Sequence, residues 1–315
     1  MPVIIFDTSI ASTNLGDHII MDSVNQVADE LFRDDFVINV PTHFSIHPKD
    51  LLKLRKYQLG IVGGTNLLKN DTLHKSQWKI GVKDLLFLHN KIVLLGVGWW
   101  QYQNKPVSAY SRMIYKSLFS AHYLHAVRDN YTLRKLNEMG IRNAINTGCP
   151  TVWELDETHC SQINPKKRDK VVATLTDYMR DPQRDKQMME TLKKHYQEVH
   201  VWIQGSKDQP YVESLTSDIR FIAPKLSSFD SFLETHSCEY VGTRLHAGIR
   251  ALQKKRKAII IGIDNRAIEM RNDIGLNVLE RQHLDLLEEK IHEEKSIKLK
   301  LNTEAIQQWK AQFKH

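Results

Sequence analysis

The stretch Val241-Gly242-Thr243-Arg244-Leu245-His246-Ala247-Gly248-Ile249-Arg250-Ala251 places an arginine and a histidine between an apolar run that reads as a strand and a periodic run that reads as a helix. The N–H groups that open a helix lack intrahelical partners and carry partial positive charge, so such a junction attracts anions. A guanidinium beside it adds a planar, bidentate donor for phosphate or carboxylate. His246 follows two residues later, and imidazole gives or takes a proton near neutral pH without special tuning. Residues two apart do not share a helix face, whereas His246 and Arg250 do. Arg244 is therefore expected in the turn itself. His246 reads either as an acid or base on the rim of a site, or as a histidine that packs or caps on the helix.

Outward from this junction, short apolar runs alternate with amphipathic segments, the pattern of parallel sheets covered by helices. Upstream, strands are expected at residues 3–6, 36–40, 59–62, 92–95, 123–127 and 144–146, with helices after Gly16, over 109–121 and over 130–139. The second half repeats the pattern with strands at 171–176, 199–204, 220–222, 239–241, 258–263 and 277–279, and two closing helices after Gln282 and Thr303. The polar run Asn164-Pro165-Lys166-Lys167-Arg168-Asp169 reads as the linker. At 315 residues the chain exceeds the size at which a single core stops growing. The expectation is an α/β protein of two Rossmann-like domains facing a cleft, 1–163 and 164–315.

A net charge of +7, from 44 Lys and Arg against 37 Asp and Glu, favours acidic ligands or an anionic membrane surface. No zinc-finger, homeodomain or RNA-recognition pattern accompanies it, and no nucleic-acid partner is expected. Cys149, Cys160 and Cys238 are odd in number and lack CxxC spacing, which argues against a disulfide framework and a zinc site. The fifteen histidines contain no HExxH pair, so no metal is expected. Residues 1–7 read as an opening strand and not as a signal peptide, and no apolar run reaches the length of about 18 residues that spans a bilayer. The expected location is the cytoplasm, at most at the inner face of the membrane.

In open α/β sheets ligands bind beyond the carboxyl ends of the strands, so polar loops there share a rim. The first strand leads to Asn14-Leu15-Gly16-Asp17, where Gly16 permits close backbone approach and Asn14 and Asp17 either contact a ligand or cap the helix. The third strand ends in Gly63-Gly64-Thr65-Asn66 and the fourth in Gly96-Val97-Gly98-Trp99-Trp100. Neither is a GxGxxG fingerprint and no Walker A lysine is present, which disfavours dehydrogenases and P-loop kinases. Trp99 and Trp100 read as a sugar platform or as packing. Arg128-Asp129 is a second strand-end arginine, or a surface ion pair. Cys149 reads as a buried small residue and not a nucleophile.

These elements in this order resemble the polysaccharide pyruvyl transferase family: the N-x-G-D loop at 14–17, Gly63-Gly64, Gly96-Val97-Gly98, V-R-D at 127–129, T-G-C-P at 147–150 and G-T-R-L-H-A at 242–247, extending to Gly275. The resemblance implies a fold like the GT-B glycosyltransferases and transfer of a pyruvyl group from phosphoenolpyruvate to a hydroxyl of a cell-surface polysaccharide or its lipid-linked precursor. It maps donor-binding and catalytic roles onto Arg128, Arg244, Leu245 and His246. Gly64 and Thr65 lie at the same expected cleft, Thr65 standing where the family has a third glycine. Arg266 replaces its usual lysine.

Phosphoenolpyruvate is then a substrate, and no cofactor is expected. Two guanidiniums can each take one of its anions while His246 serves as acid or base. The alternative on the same scaffold is a nucleotide-sugar glycosyltransferase, with Arg244 on the diphosphate. Lys254-Lys255-Arg256-Lys257 reads as a solvated turn, or as a basic stripe that holds the enzyme near lipid headgroups.

Overall fold

The protein is described here from a computed structural model covering residues 2–74 and 76–313. It folds as two compact units. The first holds the chain up to Ser12, from Ile20 to Trp153 and from Leu301 onward, and the second holds Thr13–Ile19 and Glu154–Lys300.

In the first unit β1 (Val3–Asp7), β2 (Val37–Pro41), β3 (Leu59–Gly63) and β4 (Ile92–Leu95) form a parallel sheet in the order β2-β1-β3-β4. The pair β5 (His125–Val127) and β6 (Ala144–Asn146) extends it, since the Gly96 N–H donates to Ala126 O at 2.9 Å and the Arg128 N–H to Val97 O at 3.1 Å. Helices α1 (Leu15–Leu31), α2 (Pro48–Leu54), α3 (Val82–Leu88), α4 (Ala109–Leu118) and α5 (Asn130–Glu138) connect the strands. Side chains of a strand alternate between faces. Ile4 and Phe6 accordingly enter one core cluster with Trp78 and Leu94, while Val3 and Ile5 enter another with Val24 and Val27. Both faces of β1 are covered, so it reads as a continuous apolar run.

The closing helix Thr303–Ala311 belongs to this unit and not, as its sequence position implied, to the second. Its apolar face decides this. Trp309 packs edge-on against Trp153, Phe313 against Phe32, and the Gln312 side chain bonds both backbone groups of Leu124.

The second unit is one six-stranded parallel sheet of β7 (Lys170–Thr174), β8 (Glu198–Trp202), β9 (Arg220–Ile222), β10 (Cys238–Gly242), β11 (Ala258–Gly262) and β12 (Val278–Glu280), ordered β12-β11-β10-β7-β8-β9. Its helices are α6 (Glu157–Ser161), α7 (Pro182–His195), α8 (Asp208–Leu215), α9 (Leu226–Thr235), α10 (Leu245–Gln253), α11 (Asn265–Ile274) and α12 (Leu287–His292). This is the Rossmann order, and winding reverses between β7 and β10. In the first unit the order is flavodoxin-like, with the reversal between β1 and β3.

The expected α/β class with two Rossmann-like domains is what the chain adopts. The boundary differs: the chain changes unit at Trp153–Glu154 and not at the polar run 164–169. Leu155, Cys160 and Ile163 are buried, and the His159 Nε2 meets Leu252 O at 2.9 Å, which ties this segment to α10. No helix among the described residues is long and apolar enough to cross a membrane.

Candidate active site

In the second unit the loops after β7, β8, β10 and β11 converge at the point where winding reverses. At the end of β10 the Thr243 N–H donates to Thr174 O (2.9 Å), and the Tyr240 hydroxyl donates to Arg244 O (2.7 Å). These bonds hold Arg244 extended (φ −96°, ψ 101°) as the residue that caps α10, and its side chain makes no capping bond. The arginine sits in the turn, where the spacing to His246 required it.

Its guanidinium grips a partner that the sequence did not announce. Nε donates to Asp208 Oδ2 at 3.2 Å and Nη2 to Asp208 Oδ1, a bidentate pair. Asp208 also accepts the N–H groups of Gly205 (2.7 Å) and Asp177 (3.1 Å), so one carboxylate joins the loops after β7, β8 and β10. Burial raises Asp208 above the ordinary carboxylate range, against the opposing pull of the Arg244 charge and the bonds it accepts. A Cβ at position 205 would overlap the Arg244 guanidinium, so only glycine permits this approach.

A second unannounced residue, Tyr178, lies with its ring 5.1 Å from the Arg244 guanidinium carbon. Half-exposed, it accepts a bond from Arg266 through its hydroxyl. Arg266 opens α11 and also pairs with Asp264, Nε to Oδ2 at 2.9 Å. One tyrosine thus touches both arginines, Arg244 through its ring and Arg266 through its hydroxyl. The Thr176 hydroxyl, just beyond β7, is buried and has no hydrogen-bond partner among the described residues.

Leu245 and His246 are both buried in the first turn of α10. Arg250, four residues on, is committed to Asp230 of α9 through two bonds of 2.7 and 2.6 Å. The Asn14 loop belongs to this unit. Asn14 Oδ1 accepts the Gly16 N–H (3.2 Å), the expected capping contact, and also the Gln204 side-chain amide (2.8 Å). The Leu15 N–H donates to Gln204 O at 2.9 Å, leaving Asn14, Gly16 and Asp17 joined through Gln204 and Gly205 to the loop that holds Asp208 and Arg244. Their expected place in the domain 1–163 is corrected by this pairing.

The first unit gathers Gly64, Thr65, Asn66, Gly98 and Arg128. Gly64 and Thr65 both have positive φ, 56° and 51°, the left-handed turn that presents Asn66. Arg128 donates from Nε and Nη2 to Asp129 Oδ2 (3.0 and 2.9 Å) and from Nη1 to Asn66 Oδ1 (2.6 Å). A Cβ on Gly98 would overlap the guanidinium. The arginine side chain is 0% exposed, so the expectation that it offers itself directly to a dianion gives way to a role in building the turn. It is not a surface ion pair either.

Trp99 is buried and its indole N–H donates to Asn70 Oδ1, which makes it packing. Trp100 and Tyr102 are exposed at 42% and 51%, with Lys69 Nζ 5.3 Å from the Trp100 ring and Tyr131 packed edge-on against Tyr102. Burial pushes the Cys149 thiol up, away from nucleophile chemistry. A cavity of about 680 Å³ lies at the other end of this unit, lined by the end of α1 and the start of β2, away from the strand-end loops.

The sequence matches the polysaccharide pyruvyl transferase family over residues 14–265. No curated protein matches the chain. Among solved structures it is similar to the UDP-GlcNAc 2-epimerase of Methanocaldococcus jannaschii in complex with UDP-GlcNAc and UDP (TM-score 0.56, 12% identity, 97% of each chain covered). It is also similar to MnaA of S. aureus in a co-structure with UDP (TM-score 0.55, 13% identity, 93% of this chain and 89% of that one). A putative UDP-N-acetylglucosamine 2-epimerase of Listeria monocytogenes matches with a TM-score of 0.50 at 11% identity, covering 93% of this chain and 90% of that one. At such identities the likeness is one of fold, and that fold is GT-B-like.

Proposed function

Because the chain belongs to the polysaccharide pyruvyl transferase family, we propose that it moves a pyruvyl group from phosphoenolpyruvate to a saccharide, and that the strand-end cluster around Arg244 binds the donor. The observation that carries this reading is the pairing of a buried arginine, fixed at the start of α10, with a histidine in the first turn of the same helix. Arg266 and the unpartnered Thr176 hydroxyl add a second cation and a free polar group to the same rim. A donor that displaces Tyr178 meets both guanidiniums, each braced by its own aspartate, with its carboxylate and phosphate. Bidentate anion binding by two fixed guanidiniums aligns the enol carbon for attack.

His246, protonated, delivers a proton to the methylene carbon, and C2 becomes an oxocarbenium-like centre. A saccharide hydroxyl attacks C2 and returns its proton to His246. The second hydroxyl then bonds to C2 as the C2–O bond to phosphate breaks, its proton leaves with inorganic phosphate, and a cyclic ketal remains. Exposed Trp100, on the first unit, supplies a stacking face for the sugar. Asn14 and Asp17 border the donor loop. Arg128 contributes by holding Asn66 and the start of α5. No metal or resident cofactor enters this scheme, and enzyme treated with chelator is expected to keep its rate. The acceptor is a polysaccharide repeat or its lipid-linked precursor.

The alternative, a nucleotide-sugar enzyme, draws on the fold neighbours, whose structures contain UDP or UDP-GlcNAc. A thermal-shift titration separates the two readings. Stabilisation by phosphoenolpyruvate, with phosphate released when a saccharide diol is added, supports pyruvyl transfer. Stabilisation by UDP alone, without phosphate release, overturns it.

A further inference from the structure

At the opposite end of the strands that carry Arg244, the second unit has a concave basic surface that the proposed reaction does not use. The run 164–169, expected as a linker, bends into the start of β7, and the run 254–257, expected as a solvated turn, feeds the start of β11. Together they line a cavity of about 290 Å³ beside Cys238 and Glu239 of β10. A neighbouring concavity of about 350 Å³ shares Arg168 and adds Lys167, Asp169 and Lys170, the last paired with Glu198.

The charges of the first cavity are poorly compensated. Arg256 donates to the carbonyls of Leu233 and Glu234, and buried Lys257 to those of Ile291 and Glu293, bonds that fix each cation without neutralising it. Glu239, 3.5 Å from Lys257, is the one carboxylate in the lining. Arg168 and Lys255 make no side-chain hydrogen bond or ion pair among the described residues. Lys255 is set by a positive φ of 57°. Four cations against one carboxylate leave a formal excess of three charges on a recess large enough for a phosphate group.

We propose that this recess is a second anion site, separate from the strand-end site, which seats the phosphate of a soluble phosphorylated small molecule. Its concave shape fits a small ligand. None of the exposed large apolar side chains lies in its lining, so nothing there is placed to insert into a lipid layer. The site stands independently of the transferase reading.

Inorganic diphosphate titrated calorimetrically into the full chain is expected to bind. The double variant Arg168→Ser with Lys255→Ser should weaken that binding by about tenfold or more, since each substitution removes a charge-assisted contact. Arg168→Lys with Lys255→Arg should retain most of it, and the affinity should fall as salt is raised. Both positions are at least partly exposed, so the variants are expected to fold normally, checked by circular dichroism. Equal binding by the serine variant assigns the anion to another site and overturns the proposal. So does an absence of binding. Association with phosphatidylglycerol vesicles but not with diphosphate overturns it in favour of a membrane surface.

Discussion

Two strand-end arginines, Arg128 and Arg244, are both buried and both bind an aspartate through two nitrogens, yet they are held in different ways. Arg128 pairs with the next residue, Asp129, and is sealed completely by Asn66 after β3 and Gly98 after β4. Arg244 is enclosed by loops that come from elsewhere in the chain, with Asp208 after β8 and the half-exposed Tyr178 after β7. An arginine paired with its own neighbour and fully sealed braces the turn it sits in. One covered by a half-exposed aromatic ring, beside a helix start, is the one we propose to exchange that cover for a ligand.

The strongest way to break this contrast is substitution at the two arginines. Arg128→Ala leaves Asp129 buried and uncompensated and should cost about 3–5 kcal/mol of unfolding free energy, measured with urea. Arg244→Lys keeps the charge beside Asp208 but loses the planar fork, and should lower transfer by about 10²–10³-fold with a melting temperature close to that of the parent. Reversed outcomes, with donor affinity lost at 128 and stability lost at 244, would erase the distinction. His246→Asn sharpens it further: the rate should drop by about 10²-fold or more while phosphoenolpyruvate binding, read by thermal shift, persists.

A pH effect belongs to the first unit. His125 is buried in the neutral form, with Nδ1 accepting the Leu94 N–H and Nε2 donating to Ser120 O, and burial lowers its pKa from 6.5 to about 4. The unfolded chain therefore takes up a proton that the folded chain refuses. Its contribution to stability is complete above about pH 6.5 and is lost as pH falls towards 4, by about 3 kcal/mol at most. Urea unfolding across that window should show the slope, and His125→Gln should flatten it. The smallest effect expected is at Trp100→Ala, about tenfold in acceptor KM with donor binding unchanged, as befits one stacking face.

The strands were legible because a β-strand covered on both faces is written as a near-continuous apolar run, and β1, β7 and β11 read that way, while β10 carries Glu239 within its run. The turn at Arg244 was legible from spacing alone. Less visible was anything that depends on contacts between distant segments. Asp208 sits in an ordinary polar stretch, and nothing in its neighbours marks it as the partner of an arginine 36 residues away. Tyr178 is likewise one aromatic among many. Trp99 and Trp100 are adjacent in sequence, yet one is buried and the other exposed, a difference set by Asn70 and Tyr115.

The chain's own pattern of apolar runs and glycine turns determined the α/β class, the two halves and the strand-to-helix junction that carries Arg244 and His246, because periodicity and backbone preference are local properties. Tertiary structure decided which half owns the Asn14 loop and the last helix, which arginine is fully sealed, and which acid holds the other. Those outcomes depend on burial and on hydrogen bonds between residues far apart in the chain, and no local signal encodes them.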